Sequence, residues 1–369
     1  MEIEAKAAKP KHAVLTFNFY KMSSLTTFVD CPNLQSRLED TFCMGASEPL
    51  PIIGFLFSPE NNAQLLERNA VPTAGKKRIV ELVYSRRVLE SEVNNSIDYD
   101  TCSSTDKRGE TSTTFDIDIT KGVQIDKKFD LVDLVTRCEN NDMYFARLVS
   151  DLIDGAERKM ETQAATYLAA LAGGFSVNDK DYDDTAIVSS TKIIRTRLSD
   201  GTLDYSNGWS QILQTARLNA YCSAPVVIGE YEIGRYFEAI KVGCCANTGI
   251  DFASVAQGQP TYLPSYRMTD ALASTSKFMT LAAGAALPIW FNLYGGANVN
   301  VLNDDANVAT IVVSRRGIPF DLRVTRDCNS ISVVVSLAWD LFSAPSDMFE
   351  NSDPLDGVNF INKFEISNP

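Results

Sequence analysis

The stretch Asp142–Leu171, with the sequence DMYFARLVSDLIDGAERKMETQAATYLAAL, determines how the rest of the chain is interpreted. Its apolar residues recur three or four positions apart, which is the stripe of an amphipathic helix. Over residues 142–172 such a helix would be roughly 46 Å long, about three times the mean helix length. The pattern predicts one long helix that supports a core through these positions: Phe145, Leu148, Val149, Leu152, Ile153, Ala156, Met160, Ala164, Tyr167, Leu168 and Leu171.

The residues at both ends of this stretch are typical of helix boundaries. Asn140 and Asn141 are candidate N-caps, and Gly173 and Gly174 would supply a left-handed stop at the C-terminal end. Polar positions off the stripe, such as Glu161, are expected at the surface, where alanine costs no more than roughly 0.5 kcal/mol. Replacing a buried leucine of the stripe by alanine should instead cost about 2–5 kcal/mol.

The composition is that of a folded, acidic protein. The chain has 369 residues, of which 45% are hydrophobic, so it can bury the cores of two or three compact units. Its 47 acidic and 34 basic residues give a formal net charge of −13, so nucleic-acid binding over the whole surface is not expected. No apolar run reaches the roughly 18 residues of a membrane span. The first residues, Met1-Glu2-Ile3-Glu4, are acidic where a signal peptide is basic, so we expect an intracellular protein without a membrane partner.

The residue types that most enzymes and metal sites use are scarce. His12 is the single histidine, which excludes H-E-x-x-H zinc sites, His-based triads and multi-His metal centres. Gly75-Lys76 lacks the other residues of a phosphate loop. We therefore assign no catalytic, cofactor-binding or metal-binding residue and predict no cofactor. The eight cysteines form no C-x-x-C pair and are expected to be free, mostly buried thiols: Cys31, Cys43, Cys102, Cys138, Cys222, Cys244, Cys245 and Cys328.

Several short charged runs could still carry chemistry. Paired carboxylates could act as acid and base, and basic runs could contact phosphates. Such runs are more often solvated surface, because a charge near water costs little. The acidic runs are Asp183-Asp184, Asp304-Asp305 and Asp116 with Asp118, and the basic runs are Arg315-Arg316 and Lys76-Lys77-Arg78.

Residues 76–125 are predicted to form a long β-hairpin. Lys76–Val93 is rich in Val, Ile, Leu and Tyr, and Phe115–Thr120 alternates strictly between apolar and polar residues. The turn-rich stretch Asn94–Glu110 lies between these strands. Alternation leaves one apolar face that must be covered, since an isolated hairpin is marginal in water. The hairpin therefore either packs on its own domain or reaches across a neighbouring subunit.

Residues 1–75 are interpreted as an N-terminal arm and the first part of a domain. The first 24 residues contain four lysines and two glutamates, so this arm could lie along another surface or be a frayed terminus. Leu15–Tyr20 predicts a short strand and Leu34–Met44 a short helix. Glu48–Pro51 is expected to break regular structure.

The part after the long helix divides into a mixed segment and a strand-rich segment. A loop-like stretch with a short strand at Ala186–Val188 is followed by predicted helices at Gly208–Ala220 and Glu230–Lys241, with the buried strand Pro225–Ile228 between them. We divide this part into residues 126–207, residues 208–340 and a C-terminal tail at residues 341–369. Further strands are predicted at Lys277–Ala282, Leu287–Leu293, Val308–Val313, Phe320–Thr325 and Ser330–Ala338.

This order of elements resembles that of the major capsid proteins of tailed bacteriophages, which have the Hong Kong 97-like capsid fold. The matching stretches are Lys76–Ile125, Asp142–Leu171 and Trp209–Ile240, the last containing APVVIG at residues 224–229 before a helix. The resemblance implies an α+β protein with an N-terminal arm, an extended β-hairpin loop, a long spine helix in a peripheral domain and a mixed α/β axial domain. It covers most of the chain in element order and carries over no functional side chain. Lys107 lies near the hairpin tip, where some relatives have a cross-linking lysine, but nothing marks it as such a residue.

The resemblance also implies a function and partners. The chain would assemble with copies of itself, as hexamers and pentamers, into an icosahedral head shell that encloses viral double-stranded DNA. Portal, scaffolding or decoration proteins would be further partners, with non-specific contact to the packaged DNA. Two other interpretations stay open: an encapsulin-like shell or phage tail protein, and an enzyme that uses carboxylates alone.

Overall fold

The computed structural model describes residues 48–58, 61, 67–69, 79–85, 112–119, 121–130, 141–176, 178–187, 190–195, 198–202, 208–219, 221, 224–230, 233–234, 261–293, 307–327, 330–343 and 359–367. Within these ranges the helices are α1 (Pro51–Leu56), α2 (Asn141–Leu171), α3 (Gly208–Leu218) and α4 (Arg267–Leu272). The strands are β1 (Glu67–Asn69), β2 (Ile79–Ser85), β3 (Ser112–Asp118), β4 (Gly122–Asp130), β5 (Thr191–Arg195), β6 (Val226–Gly229), β7 (Thr261–Pro264), β8 (Lys277–Leu281), β9 (Ala286–Phe291), β10 (Asn307–Val313), β11 (Pro319–Asp327), β12 (Ser330–Ser343) and β13 (Ile361–Ser367). The protein is a mixed helix and sheet structure.

Helix α2 is the long helix that the apolar stripe predicts, and it contains 31 residues. Eight of the eleven stripe positions are buried, and Leu148, Tyr167 and Leu171 are partly buried. Gly155 lies against β4, where a Cβ would be 3.2 Å from Ile125 Cδ1. Glycine disfavours a helix by roughly 1 kcal/mol relative to alanine, but at this position it lets the helix lie close to the sheet.

The C-terminal end of α2 differs from the prediction. Gly173 does not have the left-handed backbone expected of a helix stop, because its φ lies outside the positive region. A distant segment ends the helix instead: Asn359 Nδ2 donates to Leu171 O at 3.1 Å, and Gly173 N donates to Ile361 O at 3.1 Å. A Cβ at Gly173 would lie 2.2 Å from Asn359 Nδ2, so glycine is needed here for close packing.

The first sheet is antiparallel and packs against α2. Its strand order is β10-β11-β12-β4, and β9 also pairs with β12. Strand β12 alternates strictly between buried and partly buried residues, and its buried side chains share one core with the stripe of α2. Each such apolar side chain contributes about 1.5–3 kcal/mol when fully buried. The residues that β12 adds to this core are Ile331, Val333, Val335, Leu337, Trp339 and Leu341.

The second sheet has the strand order β5-β13-β8-β6-β7. Strand β13 is parallel to β5 and antiparallel to β8, so it lies inside the sheet. The prediction of a C-terminal tail from residue 341 is therefore wrong in two places. Strand β12 continues to Ser343, and β13 buries Ile361 and Phe364. Polar residues between the apolar ones, including the fully buried Asn362, hid this strand from pattern analysis.

Helix α1 corrects a second expectation. The run Glu48–Pro51 does not end regular structure, because Pro51 is the first residue of α1. Proline suits this position, since its φ fits a helix and the N–H that it lacks would have no helical acceptor. The helix buries Ile52, Ile53, Phe55 and Leu56.

Some predicted boundaries also move. Gly122–Ile125, assigned to the hairpin, lies in β4 and pairs with β12. Ala186 forms only an isolated bridge with Lys180 rather than a strand. Strand β7 and helix α4 lie in and after a glycine- and alanine-rich stretch for which the sequence predicted no structure. The predicted arm strand, the helix at Leu34–Met44 and most of the helix after Glu230 lie outside the described residues.

Candidate inter-subunit site

The predicted hairpin is formed by β2 and β3, with β1 as a third strand. Its antiparallel register runs from Ile79 opposite Asp118 to Ser85 opposite Ser112. This register opposes apolar residues to one another at Val80 with Ile117 and at Leu82 with Phe115, and it opposes the acidic residues Glu81 and Asp116.

The base of the hairpin is fixed to the body of the same subunit. Ile119 is fully buried in a small cluster with Ile289. Lys121 Nζ pairs with Asp340 at 3.2 Å and lies 4.6 Å from the centre of the Tyr167 ring. Ile119 is the third apolar residue of the alternating stretch Phe115–Thr120, and it is thus covered by its own chain.

Gln163 of α2 connects this base to the core. Its amide nitrogen donates to Gly122 O at 3.0 Å, and its amide oxygen accepts from Trp339 Nε1 at 2.9 Å. A Cβ at Gly122 would lie 2.4 Å from Leu337 O, so the strand passes this point only because the residue is glycine. Helix, hairpin base and first sheet are therefore held together at one place.

A second extension from the body, the segment Glu48–Phe57 that follows the arm, is held by Glu161. The Glu161 carboxylate accepts Ile52 N–H at 3.0 Å and Ile53 N–H at 2.8 Å, which are otherwise unpaired donors in the first turn of α1. Only 1% of Glu161 is exposed, and burial raises the pKa of its carboxyl despite these two hydrogen bonds. The expectation that Glu161 is a surface residue is wrong.

Two arginines hold the start of the same segment. Arg267 Nη2 donates to the Glu48 carboxylate at 3.0 Å, and Arg316 Nη2 donates to Glu48 O at 3.2 Å. Arg316 also pairs with the Glu157 carboxylate, one turn before Glu161 on α2. Burial raises the pKa of Glu157, while the hydrogen bond from Tyr266 lowers the pKa of the partly exposed Glu48 carboxyl.

Among the charged runs proposed from the sequence, the structure describes the side chains of Asp183-Asp184 and Arg315-Arg316. Asp183 and Asp184 are exposed in a turn, where the Asp183 carboxylate accepts from Thr185 Oγ1 at 2.6 Å. These bonds from Thr185 lower the pKa of Asp183, as expected for a turn carboxylate rather than a general acid. The guanidinium of Arg316 forms an ion pair with the Glu157 carboxylate, so it is not available to bind a phosphate. Asp304-Asp305, Lys76–Arg78, Lys107, His12 and all eight cysteines lie outside the described residues.

The described residues show neither a metal site nor a membrane-spanning helix. They contain no group of three or more His, Cys, Asp and Glu side chains placed to bind a metal ion. Among the same residues, no helix combines the length and the apolar character that a membrane crossing requires.

The residues that pattern analysis missed are polar groups inside the core. Glu157 and Glu161 border the apolar stripe of α2, where a carboxylate is usually solvated. Their spacing of four residues, beside a stripe that is buried along its length, was the available clue. The partners that bury them lie more than 100 residues away in sequence, so no local pattern identifies them.

No protein-family model and no curated protein matches this sequence. Similar solved structures include the Cyanophage A-1(L) capsid asymmetric unit, with 11% identity over 86% of this chain and 92% of that chain, and a TM-score of 0.47. The capsid of Ralstonia phage GP4 has 10% identity, coverage of 79% and 85%, and a TM-score of 0.39. The bacteriophage PhiM1 mature capsid has 9% identity, coverage of 80% and 84%, and a TM-score of 0.39. All three are phage capsid structures, the class that the sequence resembles.

Proposed function

We propose that this protein is the major capsid protein of a tailed phage, a non-enzymatic subunit that assembles into the icosahedral head shell around double-stranded DNA. The observation that carries the proposal is the hairpin. Its base is fixed by Ile119, Lys121 and Gly122, and the alternation of apolar and polar residues in its sequence implies one apolar face on the strands that continue from this base. A neighbouring subunit is the partner that would cover this face in a closed shell, giving a large obligate interface.

The finer architecture is part of the same proposal. Helix α2 with the first sheet would be the peripheral domain, and α2 would be its spine. The second sheet with α3 would belong to the axial domain at the centre of each hexamer or pentamer. The proposed division is residues 1–75 for the arm and first domain part, 76–125 for the hairpin loop with its base in β4, 126–207 for the peripheral domain, and 208–340 for the axial domain with returning strands. Strand β13 lies within residues 341–369 and completes the second sheet.

The arm would lie along a neighbouring subunit rather than bind DNA. Three lysines against two glutamates in its first 11 residues are few for a DNA-binding tail in a chain of net charge −13. The acidic surface of a neighbouring copy offers them favourable partners, and packaged DNA would be contacted only weakly and without sequence preference. The lysines that would face the acidic surface are Lys6, Lys9 and Lys11. The apolar residues Leu15, Phe17 and Phe19 would be buried against the same neighbour.

The remaining partners and the location follow from this assignment. The shell would be assembled in the host cytoplasm and would stay in the virion as its capsid. Portal, scaffolding and decoration proteins would contact the assembled shell rather than a single subunit. No cofactor and no membrane is required.

Electron microscopy of the purified chain tests the function directly. We expect closed shells or capsomers, and a chain that remains a uniform monomer at all protein concentrations would overturn the proposal. Shells that form during expression but enclose no DNA in infected cells would favour the encapsulin-like alternative.

A deletion of residues 94–110 tests the role of the hairpin. The tip is removed while the base contacts of Ile119, Lys121 and Gly122 remain. We expect a subunit with the unfolding midpoint of the wild type that forms few shells. Normal shells from this variant would show that the hairpin is not an assembly element.

A further inference from the structure

A buried polar cluster beside the second sheet is used by none of the surfaces described above. Lys192 of β5 and Asp179 of the preceding loop have side chains that are 1% and 0% exposed. Lys192 Nζ lies 2.5 Å from Asp179 Oδ1 and donates to Thr215 Oγ1 at 3.0 Å. Thr215 Oγ1 in turn donates to Asp179 Oδ2 at 2.7 Å. Amine, hydroxyl and carboxyl groups therefore form a closed triangle without access to solvent.

The surroundings disfavour the charged form of Lys192. Ile194 and Ile212, on the same strand and helix as the cluster, are 0% and 1% exposed. Two buried charges lose most of their hydration, and their mutual attraction often fails to compensate for that loss. Burial is the largest influence on Lys192 and lowers the pKa of its ammonium group, although Asp179 acts in the opposite direction. Loss of one proton from Nζ leaves the neutral amine, which is the nucleophilic form of this group.

We propose that Lys192 and Asp179 condense to an intramolecular isopeptide bond between Nζ and Cγ. The amine attacks the Asp179 carboxyl carbon, and Oδ1 remains as the amide oxygen. Oδ2 leaves as water after receiving two protons from Nζ, for which the Thr215 hydroxyl provides a relay. Ammonium and carboxylate together give one amide and one water, so no oxidant, cofactor or activated reactant is needed.

The close contact of the two groups and the exclusion of solvent both favour this condensation. Groups held in contact react as if at very high concentration, with effective molarities of about 10⁵–10⁸ M in favourable cases. The released water leaves a buried site for bulk solvent, which disfavours the reverse hydrolysis. The two residues are 13 positions apart, and the bond would close a loop that also contains the isolated bridge from Lys180 to Ala186.

The mass of the purified chain tests this proposal independently of shell assembly. Under denaturing conditions the protein should be about 18 Da lighter than its sequence, because one water has been lost. After trypsin digestion, peptide 160–180 should be joined to peptide 181–195, since a modified Lys192 is not cleaved. Recovery of a separate peptide 181–192 ending at a free Lys192, with the full sequence mass, would overturn the proposal.

Variants separate the bond from the fold. Thr215→Val removes the relay and should leave most of the protein at the full mass, and Lys192→Arg should abolish the mass loss entirely. A mass loss that persists in Lys192→Arg would place the linkage elsewhere and overturn this assignment. The pair Lys121–Asp340 is the internal control, because its lysine is 54% exposed at a distance of 3.2 Å. Its peptides should be recovered unlinked, and a link there would show that burial is not the cause.

Discussion

Replacement of Glu161 by alanine is the sharpest test of how the N-terminal segment is held. The substitution removes the acceptor of two backbone hydrogen bonds, from Ile52 at 3.0 Å and Ile53 at 2.8 Å. Hydrogen bonds to a charged group contribute about 1.5–3 kcal/mol each, and the buried donors left behind find no replacement within α1. The cost of keeping the carboxylate buried is removed at the same time, and it offsets part of this loss. We therefore expect the free energy of unfolding to fall by about 2–4 kcal/mol.

The measurement is urea unfolding of unassembled subunits followed by tryptophan fluorescence. Phe57 lies at the end of the segment, with its ring centre 5.4 Å from Trp290 and 6.4 Å from Trp339, so fluorescence reports on its docking. Lys159→Ala is the matched control, because Lys159 is exposed on the same helix and should cost no more than roughly 0.5 kcal/mol. Glu161→Gln keeps one acceptor oxygen and should recover at most half of the loss. A change for Glu161→Ala as small as that of Lys159→Ala would refute the reasoning.

The same variant has a pH dependence with a defined sign. The folded-state pKa of Glu161 is raised above its ordinary value of 4.5, so its protonated form is favoured by folding. Its contribution to stability is therefore fully present below pH 4.5 and is lost as pH rises through the higher folded-state pKa. The destabilisation caused by Glu161→Ala should be larger at pH 5 than at pH 7. A destabilisation that shrinks on acidification would mean that the carboxylate, rather than the acid, is the form favoured by folding.

Two further outcomes follow from burial and exposure along the chain. Leu168→Ala should lower the free energy of unfolding by about 2–5 kcal/mol in urea titrations, because this side chain is fully buried in the core; an effect below roughly 0.5 kcal/mol would mean that the stripe is not packed. Limited proteolysis of residues 1–24 should cut free subunits rapidly and empty shells slowly, and equal cutting of both would exclude a protein partner for the arm.

Periodic patterns in the sequence identified the elements whose burial follows one face. The 3.6-residue stripe gave α2 within one residue at each end, strict alternation gave part of β3, and runs of strand-forming residues gave β9, β10, β11 and most of β12. Helix α2 and strand β12 are predictable because each buries a continuous row of apolar side chains. The resemblance to phage capsid proteins depended on their order and not on any single residue.

The sequence could not reveal contacts that join distant segments. Strand β13 is an interior strand of the second sheet only because β5 and β8 both pair with it, and its own residues include the buried Asn362. Lys192 and Glu161 occupy positions where a charge is normally solvated, and each is buried by partners on other elements. Tertiary contacts of this kind override local preference, and single-sequence periodicity carries no information about them.

One turn of α2 holds the two parts of the chain that lead into the proposed extensions, which are the arm and the hairpin. Glu161 holds the segment after the arm, and Gln163 holds the base of the hairpin. Two residues along a helix are about 200° apart around its axis, so the two side chains leave α2 on nearly opposite sides. The two contacts are made by different side chains, but both depend on where this turn of α2 lies. Trp339 of the first sheet holds the turn in position through its hydrogen bond to Gln163. A displacement of α2 against that sheet would therefore move arm and hairpin together, and the relative placement of the two extensions is a property of the long helix and not of the extensions themselves.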